Sequence, residues 1–364
     1  MVEAAYQNGI YLFLDLLNFD DGEWSAKGQV ECAAWGKFWG DRYARYSHIN
    51  ILLGEDNAPL TQANWIVSGV KQSMLDRLYC IDSGTDLKNP YYQKDARAKW
   101  INLSGWYSYE MPDANCPVYQ YATWLLYTHA TQLGVPVSPT LMLETQYSNV
   151  NSASQSVEGN GIPTDMGTLD EHVMRRQLWS VPLGGGSGWG ILGNYNDCMH
   201  DGRFVDDPLF KYYANYCNAF FTARRWDLLA PDYGHTFLTS QAANPALHDS
   251  TYVSAAVASD GSFGVVYFPG VNGQANVLTI NMSMLGGGAG TSTVRWFDPT
   301  KNTYKDIPGS PFANDGSHAF TTPGKNGLGN TDWVLVLEAS SASATPPNKT
   351  TPTPCRKPET TIQN

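Results

Sequence analysis

The first half of the chain alternates short apolar runs with longer segments of helical periodicity. Residues 10–17 (IYLFLDLL) are almost continuously apolar, which is typical of a strand buried on both faces. From Lys27 to Tyr46, aromatic residues recur at the i, i+3, i+4 spacing of a helix face. Further apolar runs predict strands at 48–56, 99–110 and 135–149, and further periodic segments predict helices at 65–78 and 117–134.

Strand and helix in repeated order predict parallel strands joined by right-handed crossovers. Such an α/β fold is either a (β/α)8 barrel or a doubly wound open sheet. A Gly-rich phosphate loop does not follow the first strand, which weakens the case for the nucleotide-binding open sheet. We therefore expect a TIM-type barrel over residues 1–236, with its chemistry at the carboxyl ends of the strands.

The pattern changes after about Phe237. From there the chain shows short β-rich runs separated by Gly, Asn and Pro, at 251–268, 276–282, 293–297 and 332–338. This spacing predicts an antiparallel β-sandwich over residues 237–339. Residues 340–364 are rich in Ser, Thr and Pro and have no periodicity, which predicts a disordered tail.

Composition narrows the classes of ligand. The formal net charge is −11, which argues against a nucleic-acid partner, and no apolar run approaches the roughly 18 residues of a membrane span. The 12 Trp and 21 Tyr are compatible with core packing. Many aromatic residues in a chain with only 16% charged residues also favour a carbohydrate ligand, because aromatic rings stack on sugars. The six cysteines lack the spacing of a zinc site. Three N-x-S/T sequons, at Asn102, Asn281 and Asn348, permit a secretory route.

Two acids follow Leu-rich strands: Asp56 in LLGEDN and Glu144 in LMLETQY. A carboxyl at a strand mouth is partly desolvated, which raises its pKa. Glycoside cleavage needs two such groups, one to protonate the leaving oxygen and one to attack or to activate water. The alternative is that strand-end acids cap a helix or pair with an Arg. Glu55 competes with Asp56, whereas Asp15 is expected to orient substrate or to make a structural hydrogen bond.

Other catalytic chemistry has less support in the sequence. The chain has no GxSxG nucleophile elbow and no pair of histidines at metal-ligand spacing. The Gly-rich segment 184–190 (GGGSGWG) lacks the Lys of a phosphate-binding loop. We expect it to be a tight strand-end loop whose backbone approaches substrate or a neighbouring strand.

Six segments together resemble the apiosidase-like glycoside hydrolases, a family with a C-terminal collagen-binding-like domain. In family order they are HINILLGED, PVSPTLMLETQYSN, HVMRRQLWSVPLGGGSGWG, RRWDLLAPD, RWFDPTKNTYKDI and DWVLVLEA. The resemblance extends over about residues 4–338. It implies a (β/α)8 barrel, an oligo- or polysaccharide substrate, a secreted protein, and no metal or organic cofactor.

The family's catalytic pair falls on Asp56 as acid/base and Glu144 as nucleophile of a retaining hydrolase. Glu55 stands where the family has the second Gly of a Gly-Gly-Asp motif. The resemblance also implies substrate contacts from Asn57, Trp106, Tyr107, Tyr147 and Trp189. The family's opening barrel strands have no counterpart here, so we expect an N-terminally truncated barrel.

Three functions remain open from the sequence. The first is a retaining glycoside hydrolase acting on plant or microbial polysaccharide. The second is a non-catalytic carbohydrate- or matrix-binding protein derived from such a barrel. The third is a peptidase, which only the collagen association suggests, since no HExxH or Ser/His/Asp spacing supports it.

Overall fold

A computed structural model describes most of both halves of the chain. The described residues are 1–17, 24–54, 60–82, 100–107, 138–144, 171–190, 215–241, 251–270 and 276–340. Five α-helices lie within them: α1 Val2–Gln7, α2 Gln29–Tyr43, α3 Leu60–Val70, α4 Glu171–Leu183 and α5 Asn215–Thr222. None of the helices in these ranges combines the length and apolar character that a bilayer crossing requires.

The N-terminal half contains a parallel sheet of five strands in sequential order. They are β1 Leu12–Asp15, β2 Ile49–Leu53, β3 Tyr79–Asp82, β4 Leu103–Tyr107 and β5 Thr140–Glu144. Each strand pairs with the next in parallel register, for example Leu14 with Ile51. Parallel strands in sequential order, with helices between them, are the arrangement of a TIM-type barrel wall.

One face of this sheet packs on the helices that connect its strands. Ile49, Ile51 and Leu53 alternate along β2 and are almost completely buried against α3. Because side chains alternate across a strand, the opposite face of the sheet carries the intervening residues, such as Asn50 and Cys80. The apolar run of β2 therefore reflects a strand that is buried almost throughout. The run at 10–17 differs from the expectation, because residues 12–14 of β1 are only half-buried and Ile10 and Tyr11 before them are exposed.

The C-terminal half contains two antiparallel sheets. Six strands run in the order β11-β10-β14-β8-β7-β6, with the short β12 beside β10, and β13 pairs with β9. The strands are β6 Leu229–Pro231, β7 Ser254–Ala258, β8 Phe263–Phe268, β9 Val277–Asn281, β10 Thr291–Asp298, β11 Thr303–Asp306, β12 Phe312–Ala313, β13 Ser317–Thr321 and β14 Trp333–Ala339.

The larger antiparallel sheet is covered on both faces. Alternate residues of β14, such as Leu335, pack in a core with β9 and β13, and the residues between them, such as Val334 and Val336, pack in a core with α4 and α5. A sheet exposed on one face would alternate apolar and polar residues. The helices on the second face explain why β7 and β8 are buried at every position.

Most of the predicted elements are present with shifted bounds. The helix expected at 65–78 is α3 at 60–70, and the antiparallel sheet already begins at Leu229, within the predicted barrel domain. The structure therefore supports two antiparallel sheets in the C-terminal half, as a sandwich requires. The helix predicted at 117–134 and the tail from 341 onward lie outside the described residues.

Candidate active site

The carboxyl ends of the five parallel strands meet at one edge of the sheet. Three of the strands end on an acid: β1 on Asp15, β3 on Asp82 and β5 on Glu144. In a TIM-type barrel this edge forms the mouth where catalytic groups are carried. The sheet order therefore brings the backbone of Glu144, as predicted, to the edge that suits catalysis.

The register near Glu144 contains an irregularity. Trp106 pairs with Met142, but the next residue of β4, Tyr107, pairs with Glu144. Leu143 is thus an extra residue, as in a β-bulge, and the bulge shifts position 144 into register with position 107. Bulges at strand ends commonly redirect the last residue of a strand at the rim of a barrel.

Asp56, the predicted acid/base, follows β2, which β3 separates from β4. Leu53, the last residue of β2, is fully buried, and Gly54 has a φ of 85°, which a residue without a Cβ adopts without strain. The strand therefore ends at Leu53, and Gly54 leaves the extended conformation at the carboxyl edge. Glu55, Asp56 and Asn57 themselves, like Tyr147, lie outside the described residues.

Asp15 occupies the same edge at the end of β1. Its side chain is exposed, and its Oδ1 accepts a hydrogen bond from the backbone N–H of Leu17 at 3.0 Å. This local contact orders the turn that follows β1. The structural hydrogen bond expected for Asp15 is therefore present.

Trp106 lies within the core rather than at the surface of the mouth. Its ring is completely buried in the cluster that joins the parallel sheet to its helices, together with Met142 and Val181. It has no exposed face on which a sugar could stack. We therefore assign Trp106 to packing, in contrast to the substrate contact expected from the sequence. For Tyr107 the structure describes the backbone position at the end of β4.

Trp189 and the Gly-rich segment extend the parallel sheet beyond β5. Trp189 forms a parallel bridge with Met142, and the N–H of Gly190 donates to the Met142 carbonyl at 2.6 Å. A Cβ on Gly190 would lie 2.1 Å from the carbonyl oxygen of Leu143, so only glycine permits this approach. The expectation that this loop brings backbone close to a neighbouring strand is confirmed.

A hydrogen bond to α4 holds the indole of Trp189 in place. Its Nε1–H donates to the carbonyl of Leu178 in α4 at 2.9 Å, and the half-buried ring packs between the two core clusters. The ring thus serves the packing of α4. A contact between its remaining exposed surface and substrate stays a prediction.

Asp82 was missed by the sequence reasoning, although it has a recognisable signal. The run YCID ends on an acid after three apolar or aromatic residues, as IYLFLD does at Asp15. The run is only four residues long, so its apolar pattern alone does not identify a strand. Asp82 pairs with Gly105 of β4 and thereby lies on the candidate edge between β2 and β5.

Two buried side chains of the N-terminal half have shifted pKa values. Burial raises the pKa of Tyr79, at the amino end of β3, to about 12, and its hydroxyl donates to the Met74 carbonyl. Burial also lowers the pKa of His172, which lies in α4. Among the described residues, no group of three His, Cys, Asp or Glu side chains could hold a metal ion.

Comparison with known proteins identifies two solved structures of similar fold. One is a glycoside hydrolase family 5 protein from Bacteroides vulgatus, with a TM-score of 0.72 and 16% identity over 93% of this chain and 72% of the other. The second is described as a glycoside hydrolase, with a TM-score of 0.73 and 14% identity over 94% of this chain and 76% of the other. No protein of curated function matches the sequence.

The C-terminal half has a match of its own. A family model described as "Putative collagen-binding domain of a collagenase" matches residues 240–338, which include β7 to β13 and most of β14. Together with the two solved structures, this match gives the chain's architecture: it shares the fold of glycoside hydrolases that have a TIM-type barrel, and it ends in antiparallel sheets that match a collagen-binding domain family.

Proposed function

We propose that this chain is a retaining glycoside hydrolase in which Glu144 is the nucleophile and Asp56 the acid/base. The observation that carries the proposal is the position of Glu144 at the carboxyl end of β5, in a sheet of TIM type. The likeness of the fold to glycoside hydrolases supports the same reaction class.

The strand order is compatible with a reacting pair. Asp56 follows β2, and β2 is separated from β5 by β3 and β4. Neighbouring strands are about 4.8 Å apart, so three spacings amount to roughly 14 Å along a flat sheet. A barrel wall curves, so the two strand ends approach each other across the mouth. Carboxylates that extend inward from both ends can reach the separation of about 5–5.5 Å that retention requires.

The reaction would proceed by double displacement. The Glu144 carboxylate attacks the anomeric carbon, the bond from that carbon to the leaving oxygen breaks, and Asp56 donates its proton to that oxygen. The Asp56 carboxylate then takes a proton from water, whose oxygen attacks the anomeric carbon and releases Glu144. The products are two sugars, and the configuration at the anomeric carbon is retained.

The substrate class follows from the composition and the resemblance. Asp15, Asn57, Tyr107, Tyr147 and Trp189 are proposed as contacts to a neutral oligo- or polysaccharide, with plant and microbial polysaccharides, including apiosides, as the first to test. Such polymers lie outside cells, so we propose that the protein is secreted.

Replacement of Glu144 by Gln tests the proposal. We expect wild type to release reducing sugar from at least one member of a pectin and hemicellulose panel, and Glu144→Gln to lose at least about 10³-fold of that rate. The matched control is Glu3→Gln, which changes an exposed Glu of α1. NMR of the first-formed product should show the anomer of the substrate, and an inverted product would refute the retaining mechanism.

The second candidate is a non-catalytic carbohydrate- or matrix-binding protein. It is favoured by the match of residues 240–338 to a collagen-binding domain family. If wild type releases no sugar from any polysaccharide but sediments with one of them, or with collagen fibrils, the binding function replaces the catalytic one.

A further inference from the structure

The two halves of the chain are joined by a buried ion pair. Arg175 of α4 donates from Nε to Asp332 Oδ2 at 2.8 Å and from Nη2 to Asp332 Oδ1 at 2.9 Å. Both side chains have no exposed surface. Asp332 immediately precedes β14, in the middle of the larger antiparallel sheet.

Neighbouring polar groups complete the arrangement around the pair. Arg175 Nη2 also donates to Asn330 Oδ1 at 2.8 Å, and Asp332 accepts from Asn326 Nδ2 at 2.7 Å and from the Tyr267 hydroxyl at 3.3 Å. A planar guanidinium that binds a carboxylate through two parallel hydrogen bonds is fixed in direction as well as in distance. A buried charge pair also cannot slide without leaving a charge unpaired.

Helix α4 transmits this constraint to the parallel sheet. Its residues Met174, Leu178 and Trp179 pack in the core beneath the antiparallel sheet, whereas Val181 packs in the core of the parallel sheet. A helix that is buried on several sides is held by both layers. The rotation of α4 about its axis and its position relative to the parallel sheet are therefore set partly by the C-terminal half.

The loop after α4 is bonded directly to the strand that carries Glu144. The N–H of Ser187 donates to the Thr140 carbonyl at 2.8 Å, the N–H of Met142 to the Gly188 carbonyl at 3.1 Å, and the N–H of Gly190 to the Met142 carbonyl at 2.6 Å. The C-terminal half also contacts this loop: the hydroxyl of Tyr233, two residues after β6, donates to the Gly184 carbonyl.

We infer that Arg175 and Asp332 are positioning residues for the candidate active site. The ion pair fixes α4, α4 fixes the loop 184–190, and the loop fixes β5 and the register position of Glu144. The C-terminal half thus contributes to the position of Glu144 through α4. The consequence for catalysis rests on the proposed function, whereas the link from the ion pair to the loop does not.

The conservative variant Arg175→Lys tests the inference in the full chain. Lysine keeps the charge but lacks the planar fork, so the loop should lose its precise placement. We expect hydrogen exchange at the amides of Ser187 and Gly190 to accelerate at least about tenfold. Because small displacements of a reacting group reduce turnover strongly, kcat should fall about tenfold or more while KM stays within about twofold.

The exposed pair Arg225–Asp227 supplies the matched control. It has the same two-bond geometry, with distances of 2.8 and 2.7 Å, but each side chain is about half exposed. Arg225→Lys should change neither the exchange rates nor kcat. If Arg175→Lys does not fold, Asn330→Ala, which removes one acceptor of the Arg175 guanidinium, is measured in its place with the same expectations.

The outcomes separate the inference from the proposed function. Unchanged exchange at Ser187 and Gly190 in a folded Arg175→Lys or Asn330→Ala variant overturns the inference, whatever the activity. If wild type cleaves no glycoside but exchange is accelerated in the variant, the structural link is supported and the proposed function is rejected. Accelerated exchange with an undiminished kcat rejects the positioning role.

Discussion

Glu55 and Asp56 are adjacent acids, and the proposed mechanism requires only one of them to transfer a proton. The acid/base residue matters most when the leaving group is poor, because a good leaving group departs without protonation. The residue can therefore be identified by comparing a natural glycoside with an aryl glycoside whose phenol is strongly acidic.

We expect Asp56→Asn to lose at least about 10²-fold in activity on the natural glycoside but less than about tenfold in the first step on the activated aryl glycoside. Glu55→Gln should retain activity on both, since its acid takes no part in the transfer. Asp306→Asn, on the exposed strand β11, is the control for loss of an acid. The reverse result, with the large loss in Glu55→Gln, would assign the acid/base role to Glu55.

Residue positions were predictable where a strand end fixes them. The apolar runs before Asp15 and Glu144 were long enough to identify, and both residues lie at the carboxyl edge. Trp106 differs because the face of the sheet on which it lies depends on register, which a run of aromatic and small residues does not reveal. The register shift near Trp106 is set by pairing between β4 and β5, so no local pattern encodes it.

At the scale of elements, α2 and α3 pack with their backbones in near contact. A Cβ on Gly36 would lie 1.9 Å from the carbonyl oxygen of Ile66, and a Cβ on Gly69 would lie 2.1 Å from the carbonyl oxygen of Ala33. Glycines at facing positions let two helices approach closely, and this contact sets the spacing of the layer that covers β2.

We therefore expect Gly36→Ala to destabilise the protein by about 1–3 kcal/mol, because overpacking outweighs the roughly 1 kcal/mol that alanine gains in a helix. Urea unfolding followed by circular dichroism measures the change. Gly234→Ala is the control, since its added Cβ would meet only the Thr236 methyl at 3.7 Å. A Gly36→Ala variant as stable as wild type would show that the helices do not approach this closely.

Elements were predicted from the sequence most reliably where both faces of a strand or one stripe of a helix are apolar. The run INILL of β2 and the aromatic spacing of α2 are of this kind. The sequence did not reveal which face of α2 is buried, because that face consists of Cys32, Gly36 and Gly40 while Phe38 is exposed. β3 is only four residues long, and the exposed positions of β11 carry too little apolar pattern to identify. Short strands such as these are specified by the neighbours with which they pair.

At the scale of the whole molecule, the two halves share a core that sequence patterns assign to neither. Trp179 of α4 packs against Phe220 of α5 and against Phe297 and Tyr267 of the antiparallel sheet. The sequence pattern predicts two separate domains, because a long-range contact between a helix and a later sheet leaves no local periodicity. The boundary near residue 237 therefore divides the sequence pattern but not the packing.

This shared core contains a histidine whose protonation opposes folding. Burial is the main cause that lowers the pKa of His172 from its ordinary 6.5, and the Arg175 and Arg176 guanidiniums lower it further. Asp332, whose Oδ1 is 3.9 Å from Nε2, and the hydrogen bond to the Pro269 carbonyl oppose the shift. Folded protein therefore holds fewer protons at this site than unfolded protein when the pH is below about 6.5.

The contribution of neutral His172 to the free energy of unfolding should consequently be fully present above about pH 6.5. It should decrease as the pH falls toward the lowered pKa of His172. One proton accounts for at most about 1.4 kcal/mol per pH unit in this window. We expect the melting temperature of wild type to fall between pH 7 and pH 5 by more than that of His172→Gln, whose amide can still donate to Pro269. Equal pH dependence in wild type and His172→Gln would show that His172 is protonated equally in the folded and unfolded states.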